Sequence, residues 1–389
     1  MKIKTKFYLA SPLVATVGYI LLIYVPYLYK PNFFPFLKVF DIYWHTLICL
    51  FITILIIIAR IFVHYPKLLK LDPTYIIVPS IPKKWYQVSF CFVLMSLIMN
   101  AFIVFKGLNA YTGNVNISKA TIKEFGGINI ISQLCLFFIV PFIIYSFQKK
   151  LKSSVVVVGL LILLVTLRSY FMAERLALIE LVLPLFLVYL IIQQKRIQIG
   201  KLFKYIATFV IFFMIFELSR QFKNQYGNEE LDLGYKISWT LERLFAYYGD
   251  TQNKFYYGLE NELAYTTNHY SDWIANVLEN LGINLSSKNR IDYGEFRWRD
   301  FTNHGGLNMI YTDFGILGLI IGLVTIFWSF FLLWFRLING NLFAWSVYPF
   351  FFIWILELAR YNPFYLTRFL VPLFVFMTVY PIVKYVRFK

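Results

Sequence analysis

Cysteine, histidine and acidic residues are all scarce in this 389-residue chain. The three cysteines, Cys49, Cys91 and Cys135, each fall in an apolar run, so they support neither a disulfide framework nor a cysteine metal site. The histidines are few, and no His/Cys/Asp cluster has metal-ligand spacing; no metal or other cofactor is expected. A glycine-rich nucleotide loop is also missing, so Asp313-Phe314-Gly315 is not a kinase signature. There is no fixed-period repeat, duplicated half or low-complexity tract, which weighs against solenoids and against transporters built from paired repeats. Charged residues make up only 15% of the chain, against 59% hydrophobic ones. A soluble domain carries roughly 25% charged residues, so an ordinary water-soluble globule is excluded.

What the chain does have is long apolar runs. A bilayer core about 30 Å thick is crossed by about 20 helical residues. Runs of that length fall near 7–29, 40–64, 87–108, 128–148, 153–172, 174–194, 201–219, 313–336, 342–360 and 365–386. The fold class they imply is all-α: a polytopic integral membrane protein of about ten transmembrane helices with one large external loop. Residues 1–219 would hold seven helices, 220–305 the loop, and 306–389 the last three. Pro141, Pro184 and Pro372 lie inside spans, where neighbouring helices can satisfy the freed carbonyls. The start, Met1 to Lys6 followed by a long apolar run, reads as a retained signal anchor.

The formal charge of +17 would suggest nucleic acid in a soluble protein, but its distribution points elsewhere. With the N-terminus placed inside, Lys2, Lys4, Lys6, Lys67, Lys70, Lys83, Lys84, Lys149, Lys150, Lys152, Lys195, Arg196, Lys201, Lys204, Arg336, Lys384, Arg387 and Lys389 all fall on inside segments. Asp72 is the one acid among them. The positive-inside rule therefore explains the charge without nucleic acid, sets both termini in the cytoplasm and turns 220–305 outward. Within that loop, 236–248 and 271–282 have the spacing of short amphipathic helices that could lie along the outer leaflet.

Three groups of residues could carry chemistry. Arg168, Arg175, Arg220, Arg360 and Arg368 all stand at the outer membrane boundary, where the positive-inside rule gives no reason for arginine. Guanidinium is permanently charged and forks onto phosphate oxygens, so the set suits a pyrophosphate at headgroup level. The plainer reading is snorkelling, or pairing with Glu174, Glu217 and Glu357 nearby. In the segment 302–318 (TNHGGLNMIYTDFGILG), His304 has a pKa suited to a general base. Gly305 and Gly306 there would let the backbone pass close to a ligand. His304 could equally be an ordinary loop histidine before a helix. The loop acids Glu242, Asp250, Glu260, Glu262, Asp292, Glu295 and Asp300 could include an acid–base pair, although solvation alone also accounts for them. Asp300 is the alternative base. Arg243, Arg297, Arg299 and Asp313 are candidates for holding an acceptor. His45 reads as a packing or snorkelling residue and not a ligand, His269 as an ordinary loop residue, and Asn116 and Asn284 head short sequons.

The span count, the single late external loop and a closing helix that opens on Asp313-Phe314-Gly315 and repeats glycine at Gly318 together resemble the Wzy-type O-antigen polymerases. The stretch 172–179 (MAERLALI) is similar to that family's arginine followed by an apolar helix. His304, eleven residues before Gly315, resembles the His-Asn…Gly pattern of the related O-antigen ligases, with Gly305 where the ligases have Asn. The resemblance implies a glycosyltransferase in the bacterial inner membrane, working on the periplasmic face with undecaprenyl-pyrophosphate-linked glycan as both donor and acceptor. Its partners would be membrane lipid and a chain-length regulator. The arginines would stabilise the departing pyrophosphate and His304 or Asp300 would accept the acceptor's proton. The competing expectations are an O-antigen ligase transferring glycan to lipid A core, a polyprenyl-phosphate-sugar glycosyltransferase, a flippase for the same lipid-linked unit, and a structural or adhesive membrane protein.

Overall fold

The computed structural model describes residues 2–4, 10–28, 42–62, 75–111, 121–122, 127–172, 175–193, 232–267, 305–362 and 366–385, with isolated positions 204, 208, 211, 214, 217 and 218. The described residues form an all-α bundle with one small two-stranded sheet. Its helices are α1 (Pro12–Leu28), α2 (Tyr43–Phe62), α3 (Lys83–Ala110), α4 (Ile128–Ile131), α5 (Ile139–Gln148), α6 (Lys152–Phe171) and α7 (Arg175–Gln193). Then follow α8 (Leu233–Glu260), α9 (Gly306–Ile338), α10 (Leu342–Glu357) and α11 (Thr367–Tyr385). Among the described residues four helical stretches are long and apolar enough to cross a membrane: Lys83–Ala110, Lys152–Phe171, Gly306–Ile338 and Arg368–Tyr385. Shorter apolar helices accompany them.

Helix α10 is apolar all round, and every residue from Ala344 to Ile355 is buried. A helix with no polar face has to sit at the centre, and α10 packs against α1, α5, α7 and α9. The outer helices present apolar stripes outward. Leu13, Val17, Leu21 and Leu28 do so on α1, and Leu317, Ile320, Ile321, Val324 and Trp328 on α9. Continuous apolar exterior of this kind suits lipid and would be a liability in water. The chain is built as a membrane protein.

The two ends of the bundle differ in character. At one end strand β1 (Lys2–Lys4) pairs antiparallel with β2 (Tyr75–Ile77), Ile3 opposite Ile76. Trp345 donates its indole N–H to the Ile77 carbonyl at 3.1 Å, and Gln148 donates to the Pro79 carbonyl at 2.8 Å. These contacts gather Lys2, Lys4, Lys83, Lys84, Lys149, Lys150, Lys152, Arg336 and Lys384 at that end by their chain positions. The other end collects the C-termini of α1, α6 and α10, the N-termini of α2, α7, α9 and α11, and α8.

Three elements depart from the expected spans. The fourth run is not one helix: turns occupy 132–138 between α4 and α5. Helix α3 supplies the reason. Asn100 donates to the Ser132 carbonyl at 3.0 Å, and the Cys135 N–H donates to the Ser96 hydroxyl at 3.0 Å, so backbone groups freed by the break find partners. Helix α9 begins at Gly306 rather than near 313, because two helical pieces are joined across a kink at Gly315 (φ 65°, ψ −168°), a conformation essentially restricted to glycine. The short amphipathic helix expected at 236–248 is the 28-residue helix α8, capped by Asp232 accepting the Gly234 N–H at 2.8 Å. The expected 271–282 helix lies outside the described residues.

Candidate functional site

Helix α8 is not one of the apolar candidates for a span, yet half of its residues are buried. Its buried set includes Glu242, Arg243, Asp250, Thr251, Gln252, Asn253 and Lys254. One face docks on the bundle: the Gln252 amide donates to the Ile23 carbonyl of α1 at 3.1 Å, and the Thr251 hydroxyl to the Ala359 carbonyl at 3.0 Å. Phe255 meets His45 of α2 and Tyr311 of α9 edge-on, so His45 does pack, as its position suggested. Glu242 and Asp250 are each 1% exposed, so solvation does not account for these two acids.

The docked helix brings arginines from separate elements together. Arg243 Nε lies 2.7 Å from Glu217 Oε2, with both side chains buried. Its guanidinium stands 5.3 Å from the Trp239 ring centroid and 5.6 Å from that of Tyr247. Arg360, in the turn after α10, stands 5.1 Å from the same Tyr247 ring and 5.7 Å from Tyr361. Tyr247 is thus shared by two guanidinium groups. Arg360 Nη1 donates to Glu357 Oε2 at 3.1 Å, and the Tyr248 hydroxyl donates to Glu357 Oε1 at 3.3 Å. Arg368, opening α11, reaches Glu180 of α7 at 3.1 Å. Tyr361 links the two pairs: burial, then the nearby Glu357 and Glu180 carboxylates, push its hydroxyl well above the usual phenol range. Burial works against the Arg360 charge, but Glu357 together with Tyr248, Tyr361 and Tyr247 more than offsets it, and Arg360 stays protonated.

Three donors in this cluster have no hydrogen-bond partner among the described residues: Arg360 Nε, Arg368 Nε and the Tyr361 hydroxyl. A buried donor without an acceptor costs about 1–3 kcal/mol, so three within nine residues of sequence are unusual for a purely structural ion-pair network. A tetrahedral oxyanion, which only accepts, is the chemical complement of such a set.

Of the expected pyrophosphate residues, then, Arg360 and Arg368 converge, and each holds a carboxylate, as the pairing alternative anticipated. Arg168 ends α6, is 1% exposed, and its charge acts on the Cys135 thiol at the helix break. Arg175 opens α7 five positions before Glu180. Arg220, Arg297, Arg299, Asp300 and His304 lie outside the described residues. Arg243, expected to hold an acceptor, is a member of the arginine cluster. Asp313 instead accepts from the Thr267 hydroxyl at the kink beside Gly315. The close backbone approach expected of Gly305 and Gly306 is real, but it is to the chain itself. A Cβ on Gly306 would stand 2.3 Å from the Leu358 carbonyl oxygen, and one on Gly305 3.1 Å from that of Thr251.

Glu180, Tyr247, Tyr248 and Tyr361 were missed. Glu180 had a signal: it is the only charged residue after Arg175 in an otherwise apolar helix, and an ionisable group there calls for a partner. The tyrosines had none, in a chain with 29 of them. Among the described residues no group of His, Cys, Asp and Glu is arranged to hold a metal ion. No protein-family model, curated protein or solved structure matches the chain.

Proposed function

We propose that this membrane protein is a glycosyltransferase of the Wzy type. In this reading it polymerises undecaprenyl-pyrophosphate-linked oligosaccharide repeat units into O-antigen or a similar surface polysaccharide. The observation that carries the reading is the cluster of Arg243, Arg360 and Arg368 with its three unmatched buried donors. It stands at the end of the bundle opposite the basic one, so the positive-inside rule would turn it to the periplasm.

The chemistry asks for what these residues offer. Breaking the anomeric C–O bond leaves its electron pair on the pyrophosphate, and fixed guanidinium groups stabilise that charge as it grows. Glu357 and Glu180 hold the Arg360 and Arg368 side chains in place beforehand, so less reorganisation accompanies the reaction. The apolar flanks of the bundle would take the polyprenyl tails of donor and acceptor. Arg168, in the last turn of α6, adds a further guanidinium at the same end of the bundle. A chain-length regulator in the inner membrane would be a partner.

Deletion in the native host, with surface polysaccharide resolved by size, tests the proposal. Single capped repeats are the expected result. Uncapped core with stored lipid-linked polymer would replace the proposal with a ligase. Lipid-linked units trapped on the inner leaflet would replace it with a flippase. Arg360→Met expressed in the deleted strain should restore no polymer although the protein is present in the membrane; wild-type chain lengths would remove the pyrophosphate role.

A further inference from the structure

Helix α8 carries a buried carboxylate as well as Arg243. Counting along it at 3.6 residues per turn, Trp239, Arg243, Tyr247, Asp250 and Lys254 recur at intervals of four, four, three and four, which puts them on one face. Gln252, which binds α1, points roughly opposite. The stripe that presents Arg243 and Tyr247 to the arginine cluster therefore continues to Asp250, about 4.5 Å further along the helix axis.

Asp250 is 1% exposed. Its Oδ2 accepts from Lys254 Nζ at 2.6 Å, while its Oδ1 has no hydrogen-bond partner among the described residues. Burial pushes the carboxyl up to about 7, against the opposing pull of Lys254. Among the charged or titratable groups on elements packed against α8 are Tyr19 on α1, His45 on α2, Tyr311 and Asp313 on α9, Glu357 on α10, and Arg360 and Tyr361 in the turn beyond it. Glu217 adds to them through Arg243. Lys254 is the charged neighbour that acts on Asp250.

We infer that Asp250 is the general base of the glycosyl transfer, its free Oδ1 taking the proton of the acceptor hydroxyl while Lys254 holds the carboxylate. This rests on the transferase reading above. In the step, the acceptor oxygen forms the new bond to the anomeric carbon and its proton passes to Asp250 Oδ1. The anomeric C–O bond to the carrier breaks, and its electron pair leaves on the pyrophosphate beside Arg360 and Arg368. Nothing is oxidised or reduced. A base tuned near neutrality is best matched to this task, being ionised yet still able to hold a proton.

The test uses the full-length protein in proteoliposomes with purified lipid-linked repeat units. Asp250→Asn should lower kcat about 100- to 10,000-fold, the range for losing a general base, and leave KM for the donor within a few-fold. Asp250→Glu should recover part of the rate, and added formate should rescue Asp250→Ala, which a merely structural carboxylate would not allow. Lys254→Met should move the acid limb of the wild-type pH–rate profile to higher pH. A polymerising wild type whose Asp250→Asn variant keeps its kcat overturns the inference and leaves the transferase reading standing. A wild type that makes no polymer overturns both. Should Asp250→Asn fail to fold, infrared titration of wild type decides: a carboxyl band titrating near neutrality and displaced in Lys254→Met is expected, and its absence overturns the inference.

Discussion

Replacing Glu357 with Gln keeps the shape of the side chain and removes its charge from between Arg360 and Tyr248. The carboxylate lies 3.1 Å from the Arg360 guanidinium. At that distance and an effective dielectric near 20, the Coulomb attraction is about 5 kcal/mol. Both side chains keep slight solvent contact, 18% for Arg360 and 11% for Glu357, which lowers the figure. Breaking a buried pair from one side typically costs about 3–5 kcal/mol, chiefly because the surviving charge is stranded. We therefore expect Glu357→Gln to destabilise the protein by about 3 kcal/mol, and Arg360→Met by a similar amount. In the double variant neither charge is stranded, so its cost should fall below the sum of the two by about 2 kcal/mol or more. Equilibrium unfolding in mixed micelles measures all three. Single costs that add to within about 0.5 kcal/mol, or a Glu357→Gln cost under about 1 kcal/mol, would refute the claim that this pair is coupled and desolvated. The same variants separate folding from function: the double variant should fold better than Glu357→Gln and still polymerise nothing.

Gly315→Ala should cost about 1–3 kcal/mol, because φ 65° with ψ −168° is closed to a residue bearing Cβ. A Cβ there would also stand 2.8 Å from the Tyr265 hydroxyl, but the strain lies in the backbone, so Tyr265→Phe should not relieve it; thermal unfolding reads this directly. Removing the Asn100 amide as Ala deprives the Ser132 carbonyl of its donor. A loss of about 1–2 kcal/mol is expected, with faster hydrogen exchange across 132–138. The Asp250 carboxyl has a folded pKa of about 7 against an ordinary 3.8. Its raised value means the protonated form fits the fold better, so the stability it permits is complete below pH 4 and is lost as pH rises through 7. Wild type should thus fall relative to Asp250→Asn by on the order of 4 kcal/mol between those limits, and parallel curves for the two proteins would contradict the assignment.

Where burial follows hydrophobicity, the fold was legible. Runs at 87–108, 153–172, 174–194, 342–360 and 365–386 correspond to α3, α6, α7, α10 and α11 with ends displaced by only a few residues. The break at 132–138 was not legible, because its cause lies on another helix: Ser96 and Asn100 stand more than thirty positions away in sequence. Helix α8 was underestimated for a different reason. Its second half buries Asp250, Thr251, Gln252, Asn253 and Lys254, so no apolar stripe marks the face that packs. Arginine at helix ends away from the basic face singled out Arg360 and Arg368, and the structure brings both beside Tyr361. Their carboxylate partners were only half visible: Glu357 adjoins Arg360 in sequence, whereas Glu180 meets Arg368 across nearly half the chain. Reading Gly305 and Gly306 as an opening for a ligand identified the right physical property and the wrong neighbour.

The three pairs, Arg243–Glu217, Arg360–Glu357 and Arg368–Glu180, make poor sense as devices for stability alone. Apolar residues of equal volume commonly serve a buried position as well or better, since desolvating two ions offsets much of their attraction. Each pair nonetheless lets a guanidinium persist in a buried place without the repulsion that bare neighbouring cations would exert. Each ion pair engages one nitrogen of the planar fork: Nε in Arg243, Nη1 in Arg360, Nη2 in Arg368. In Arg360 and Arg368 the Nε–H is left without a partner among the described residues, beside the equally unmatched Tyr361 hydroxyl. An incoming diphosphate would meet donors already aimed and already desolvated, and would not have to displace the carboxylates to reach them. On this view the glutamates are positioning residues. Replacing one should raise KM for the lipid-linked donor while Arg360 and Arg368 remain charged, whereas replacing the arginine it holds should abolish turnover.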